Sequence, residues 1–212
     1  VEQFKAQQVG KEYAPSTVNL HLACLKKALQ SAVDWKFLKE NPARGVSKIR
    51  NHAEKWQFLD FDEAVVFLAA VPTKWRPLFL VTLRTGMRKG EVCALRWRDV
   101  DWENRAVNVR HTVFKGRLQP PKSKESIRSI PMTKEVYDTL QSIRQLRSEF
   151  VFPAQNDGSL NPHTLQRPLK TANKKSGLTK RLRFHDLRHA FASQLAMAGV
   201  PIKTIQELMG HA

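Results

Sequence analysis

The 212-residue chain sets 36 Lys and Arg against 19 Asp and Glu, a net charge of +17, and 42% of its residues are hydrophobic. That apolar fraction supports a packed core and excludes wholesale disorder, while no run approaches the roughly 20 apolar residues of a membrane-spanning helix and no secretory pattern opens the chain. The charge favours a polyanion, because attraction to a phosphate backbone needs only clustered cations; membrane surfaces and acidic proteins are the rival partners. Cys24 and Cys93, the only cysteines, sit in apolar helical patterns. They read as small core residues in a reducing compartment, which points to a cytoplasmic, DNA-associated setting rather than a disulfide framework.

After Ala14-Pro15, Ser16 is a candidate N-cap for a helix to about Val33, with Val18, Leu22, Leu25 and Leu29 spaced at three and four. That stripe has little apolar company nearby. Residues 1–50 are therefore expected to be the C-terminal part of a helical domain, with Asn41-Pro42 ending the helical run and the basic stretch from Gly45 to Ala53 as linker. A second domain is expected over 51–212. Asp60 or Asp62 caps a helix through Ala70, Lys74 to Arg84 forms another, and a third runs from about Arg88 to Leu95 after the turn Thr85-Gly86. The period then changes to alternation over Arg105–Val113 and Ser126–Met132, with turn signals at Lys115-Gly116 and Pro120-Pro121, which predicts a small antiparallel sheet. Helical spacing resumes at Thr133–Arg147, Pro162–Lys175, Asp186–Ala198 and Ile202–Met209. The expected fold is mainly α with a small three-stranded antiparallel sheet (α+β).

Three places carry chemistry. In Thr85-Gly86-Met87-Arg88-Lys89-Gly90-Glu91, an arginine follows a glycine turn at a helix start, where it can meet an anion beside free backbone N–H groups. Glu91 shares its helix face and can orient it; an ordinary surface ion pair fits the same spacing. Lys122-Ser123-Lys124 precedes a strand, either as solvated charges or as ammonium groups reaching a phosphodiester as proton donors. In His185-Asp186-Leu187-Arg188-His189, His185 and Arg188 share a helix face, a pairing suited to charge stabilisation and proton movement at a phosphate. The approach to it is basic, through Arg167, Lys170, Lys174, Lys175, Lys180, Arg181 and Arg183, a run that reads as a solvated face or as a phosphate track. Gly210-His211 closes the chain. His185 and His189 also have the spacing of two zinc ligands on one helix, but Asp186 stands where a metalloprotease has Glu and Arg188 would place a cation beside the metal.

Taken together, these residues resemble the tyrosine recombinases, the phage integrase family, which carry a T-G-x-R-x-x-E box, a hairpin lysine, an H-x-x-R box and a later G-H box. Here they stand in order as Thr85-Gly86-Met87-Arg88 with Glu91, Lys122, His185-x-x-Arg188 and Gly210-His211. Leu95-Arg96-Trp97-Arg98-Asp99-Val100-Asp101 and Arg128-Ser129-Ile130-Pro131 are similar to the segments flanking those boxes. The similarity covers about Phe58 to Ala212. Upstream, Ala14 to Asn19 and Asn41-Pro42-Ala43 resemble the end of the family's helical core-binding domain. The resemblance implies that Arg88 and Arg188 grip the scissile phosphate, Lys122 protonates the leaving 5′ oxygen, His185 assists as proton acceptor and His211 hydrogen-bonds the phosphate. Lys124 is an alternative to Lys122, and Glu91 is expected to be supporting. Lys89, Lys124, Arg167, Lys170, Lys174, Lys175, Arg181 and Arg183 are the candidate DNA contacts. No metal or other cofactor is implied.

The family's nucleophilic tyrosine lies a short way beyond the G-H box, and this sequence stops one residue after His211. Tyr13 and Tyr137, its only tyrosines, are not in the family's context for a nucleophile. The expectation is a site-specific recombinase whose present chain binds double-stranded DNA without cleaving it, tetrameric on DNA when full-length and monomeric as given. The alternatives are a non-catalytic DNA-binding or architectural protein and a zinc hydrolase on His185, His189 and His211.

Overall fold

The structure is a computed structural model that describes residues 1–50, 58–120 and 126–210. The chain divides into two compact units, Val1–Lys55 and Trp56–Ala212.

In the first unit, α1 (Glu2–Gly10) and α2 (Pro15–Asp34) form a helical pair. Pro15 opens α2 without a side-chain cap, so Ser16 lies inside the helix; the fixed φ of proline suits a first helical turn. Val18 and Leu22 bury against Val46, with Phe4 and Ile49 partly covered at the edge. The stretch read as linker is fastened to α2 as far as it is described. The Asn19 amide donates to the Ile49 carbonyl (2.9 Å) and accepts from its N–H (2.8 Å), and Lys26 Nζ donates to the Val46 carbonyl at 2.6 Å. Residues 51–53, the end of the expected linker, lie outside the described residues.

The second unit holds the larger core. α3 (Phe61–Ala70) starts at Asp60, not Asp62: Asp60 Oδ1 accepts from the Glu63 N–H at 2.8 Å and Glu63 Oε2 from the Asp60 N–H at 3.0 Å. A 3₁₀ turn over Thr73–Trp75 precedes α4 (Arg76–Thr85), whose Pro77 again sits in the first turn. α4 is the central post, with Leu78, Phe79, Val81 and Leu83 all buried. It ends at Gly86, held at φ 63, which leads through Met87 and Arg88 into the short α5 (Lys89–Cys93).

β1 (Val100–Asp101), β2 (Ala106–Val109) and β5 (Arg128–Pro131) form a three-stranded antiparallel sheet in the order β1-β2-β5. β3 (Thr112–Phe114) and β4 (Arg117–Gln119) make a separate hairpin whose two turn residues, Lys115 and Gly116, both have positive φ. α6 (Lys134–Ser142), α7 (Gln166–Lys175), α8 (Phe184–Met197) and α9 (Ile202–Met209) complete the unit, and Gly210 ends α9 in the left-handed region at φ 61. α6 stops short of the expected Arg147 because Trp97 N–H donates to the Glu149 carbonyl and Val151 N–H to the Leu95 carbonyl. That pairing, with the bridge between Arg96 and Phe150, draws the chain after Ser142 away from the helix axis through turns and bends. Cys24 is exposed and Cys93 buried, where burial pushes its thiol up to about 12 despite the Lys89 charge. Among the described residues no helix is long and apolar enough to cross a membrane.

Candidate functional site

The turn after α4 sets the first cation. Gly86 allows the chain to reverse tightly, and Arg88 becomes the N-cap residue of α5. Glu91 then binds Arg88 twice: Oε2 accepts from the backbone N–H at 2.7 Å and Oε1 from Nη1 at 2.9 Å. Nη2 of Arg88 reaches across to the Gly210 carbonyl at 3.0 Å. The Arg88 side chain is still 38% exposed, so it presents donors to solvent.

α8 sets the second. Asp186 Oδ2 accepts from the Arg183 N–H at 2.7 Å, which starts the helix before Asp186 and makes that residue a third-position partner instead of the first helical residue expected. Arg188 follows, only 1% exposed, donating Nη1 to the Gly86 carbonyl at 2.7 Å and Nη2 to the Met209 carbonyl. Burial first, then the positive charge of Arg88, pulls its guanidinium down to about 10, opposed by Glu91. Arg88 and Arg188 therefore meet at the last turn of α9 and the Gly86 turn.

His185 stands exposed in the first turn of α8, edge-on to His189 with ring centres 4.5 Å apart. Partial burial, then the neighbouring charges of His189 and Arg188, hold its pKa below the usual imidazole value. His189 is held down likewise, chiefly by burial. Among the described residues no group of three or more His, Cys, Asp or Glu is placed to hold a metal ion.

Arg88, Arg188 and His185 line one cleft of about 850 Å³. Lys89, Lys170, Lys174, Arg181 and Arg183 line it too, the last four with exposed side chains. Arg167 lies instead on a neighbouring hollow with Trp75 and His163, and Lys175 is exposed on neither. Lys180 also borders the cleft but is tied down, donating to Glu63 Oε2 at 2.5 Å and to the Phe58 carbonyl at 2.9 Å. Lys122, Lys124 and His211 lie outside the described residues.

Two participants escaped sequence reading. Asn173 anchors the basic loop to α7, its Nδ2 donating to the Leu182 carbonyl at 2.7 Å; nothing in the sequence marks it. Arg128 binds Glu91 in a fork, Nη2 to Oε2 at 2.8 Å and Nη1 to Oε1 at 3.2 Å, and gives Nε to the Leu208 carbonyl at 2.7 Å. A signal for Arg128 did exist: it stands two residues before Ile130, on the core-facing side of β5, where an unpartnered charge is costly. Burial alone pushes the Glu91 carboxyl up, but hydrogen bonds and charge from Arg128, with the Arg88 contacts, more than offset it, so its pKa lies below the usual carboxylate value.

The model of the phage integrase family matches residues 57–212. The chain belongs to the phage integrase family. Its phage-integrase relatives include the tyrosine recombinase XerC of Myxococcus xanthus, 30% identical over 215 residues (96% of this chain, 70% of the relative). A XerC-like tyrosine recombinase of Caldanaerobacter subterraneus subsp. tengcongensis is 27% identical, covering 98% of this chain and 61% of that protein. The chain thus spans about six-tenths of that relative. Among integrase structures, the Tn1549 transposon integrase in complex with circular intermediate DNA superposes with a TM-score of 0.84 at 26% identity, over 99% of this chain and 76% of that one. A λ integrase tetramer bound to a Holliday junction has a TM-score of 0.77 at 20% identity and shows the shared fold.

Proposed function

We propose that this chain is the DNA-engaging part of a site-specific recombinase, and that the cleft of Arg88, His185 and Arg188 holds one phosphodiester of duplex DNA. The observation that carries this reading is the meeting of the two guanidiniums, from α5 and α8, beside an imidazole in a cleft rimmed by lysines and arginines. The names of the relatives and the DNA in the Tn1549 integrase structure support it. In the first step a tyrosine hydroxyl attacks phosphorus and the bond from phosphorus to the 5′ oxygen breaks. The cut strand is left with a 3′-phosphotyrosyl ester on one side of the nick and a free 5′-hydroxyl on the other; rejoining is the reverse. Arg88 and Arg188 hold the non-bridging oxygens, whose charge is concentrated in the trigonal-bipyramidal transition state. His185, kept neutral by its surroundings, takes the phenolic proton, and Lys122, or Lys124 in its place, donates one to the leaving oxygen. His211 hydrogen-bonds the phosphate, and Glu91 supports Arg88.

The attacking hydroxyl comes from neither tyrosine of this chain. Tyr137, on α6, packs edge-on to Trp102 and its hydroxyl accepts from Gln141, while Tyr13 belongs to the other unit. Residues 1–50 serve as the C-terminal part of a core-binding domain and 51–212 as the catalytic domain; the chain acts in the cytoplasm, alone in solution and as a tetramer on DNA in its tyrosine-bearing form. On a nicked suicide duplex the 212-residue chain is expected to bind, with affinity falling steeply as salt rises, and to form no covalent adduct. In the tyrosine-bearing protein, Arg88→Ala or Arg188→Lys is expected to cut strand cleavage by about 10²–10³-fold. Cleavage that survives both substitutions, or binding indifferent to salt, refutes the assignment.

A further inference from the structure

Three consecutive carbonyls at the end of α9 are each capped by a different arginine. Leu208 takes Arg128 Nε, Met209 takes Arg188 Nη2 and Gly210 takes Arg88 Nη2. A helix C-terminus presents unsatisfied carbonyls and partial negative charge, so cations gather there readily. These three come from β5, α8 and the N-cap of α5, elements far apart in the chain. Of the three, Arg128 alone does not line the cleft, and it shares the Glu91 carboxylate with Arg88. Its side chain is 5% exposed, as is that of Glu91, and the two form a bidentate fork, whereas Arg88 is 38% exposed.

We propose that Arg128 is a positioning residue: by clamping Glu91 and the last turn of α9 at once, it fixes where the Arg88 and Arg188 guanidiniums present their donors. This rests on the reading of the cleft as a phosphate site. Glu91 has one carboxylate for two arginines, and Arg128 occupies both of its oxygens while Arg88 occupies the same two from the other side. Without Arg128, Glu91 is free to rotate toward Arg88 alone, and the Leu208 carbonyl loses its donor. The Gly210 and Met209 carbonyls, which hold the two working guanidiniums, are the next residues along the chain. Arg128 does not line the cleft that Arg88, His185 and Arg188 share, so its effect must pass through the groups it holds. Lysine cannot replace it, because one ammonium does not supply a planar fork and a third donor in fixed directions.

The test uses the 212-residue chain and orthovanadate, which adopts the five-coordinate geometry of phosphoryl transfer, with binding read from the side-chain Nε–Hε resonance of Arg88. Arg128→Met and Arg128→Lys are compared with wild type and with Arg88→Ala, alongside duplex affinity and thermal unfolding. Both Arg128 variants are expected to bind vanadate at least about tenfold more weakly and to shift the Arg88 resonance, while duplex affinity stays within about twofold. The lysine variant, which retains a charge opposite Glu91, is expected to keep most of the thermal stability and still lose the vanadate affinity; this separates positioning from mere support of the fold. Vanadate affinity unchanged in Arg128→Lys overturns the proposal even if Arg128→Met fails to fold. If Arg88→Ala also binds vanadate as wild type does, or if wild type does not bind it at the cleft, the phosphate-site reading falls, and this proposal with it. Loss in Arg88→Ala together with no loss in Arg128→Lys leaves that reading standing and sinks only the role of Arg128.

Discussion

His185 and His189 sit edge-on within one turn of α8, so a proton on either ring repels a proton on the other. Both pKa values are depressed in the folded chain, which means the unfolded chain binds protons first as pH falls. Their contribution to stability is complete above the free imidazole value of about 6.5 and is lost as pH drops through it toward the folded values. His189→Gln removes one repelling charge, and the His185 midpoint, followed by ring-proton NMR, is expected to rise toward the free value. An unmoved midpoint would leave burial and the nearby arginines as its cause. The same scale shows what single residues disclose before folding. Glu91 three places after Arg88 suggested a local pair, which the structure contains. The second arginine on that carboxylate was hidden, because Arg128 reaches it only through the pairing of β5 with β2 and the docking of β5 on α9. Local spacing reports neighbours on one helix face and is silent about a partner brought by a strand.

Elements close on one another through their smallest residues. A Cβ on Gly90 would stand 2.4 Å from Thr112 Oγ1 and 2.7 Å from the Val113 carbonyl, so the β3–β4 hairpin lies directly on α5, beside Arg88. Gly90→Ala must push β3 backbone away and is expected to cost about 1–3 kcal/mol, lowering Tm by roughly 2–4 °C for each kcal/mol. Gly45→Ala, which meets nothing within 4 Å and has no positive φ, should stay within about 0.5 kcal/mol of wild type by the same scan. Equal midpoints for the two variants would show that α5 and the hairpin are not in firm contact. The helix α9 matched its expected bounds, Ile202–Met209, because its apolar spacing runs unbroken from Pro201 to the Gly210 stop. The expected three-stranded antiparallel sheet is present, but the alternation expected over Arg105–Val113 divides at Arg110 and His111, so β3 pairs with β4 in a separate hairpin. Likewise α6 loses its last expected turn to the bond between Trp97 and Glu149. In both places long-range pairing decides against the local period.

Across the molecule, the excess of positive charge is organised by the fold of the second unit: most of the basic run ahead of α8 is gathered on one cleft, held there by Asn173 and the Lys180–Glu63 pair. Composition announced a polyanion partner but not this gathering, which depends on how α7 and the loop after it are tied together. Composition also missed the contrast between the two cysteines, both read as core. Cys24 faces solvent in the first unit, whereas Cys93 lies enclosed in the second with its thiol at about 12. Since thiolate is the reactive form, the native chain at neutral pH should consume one equivalent of a maleimide and the denatured chain two. A rapid second equivalent under native conditions would mean that the second unit opens around α5. The protein therefore comes with a built-in attachment point for one dye, on the helix α2, available for following its encounter with a duplex without altering the sequence.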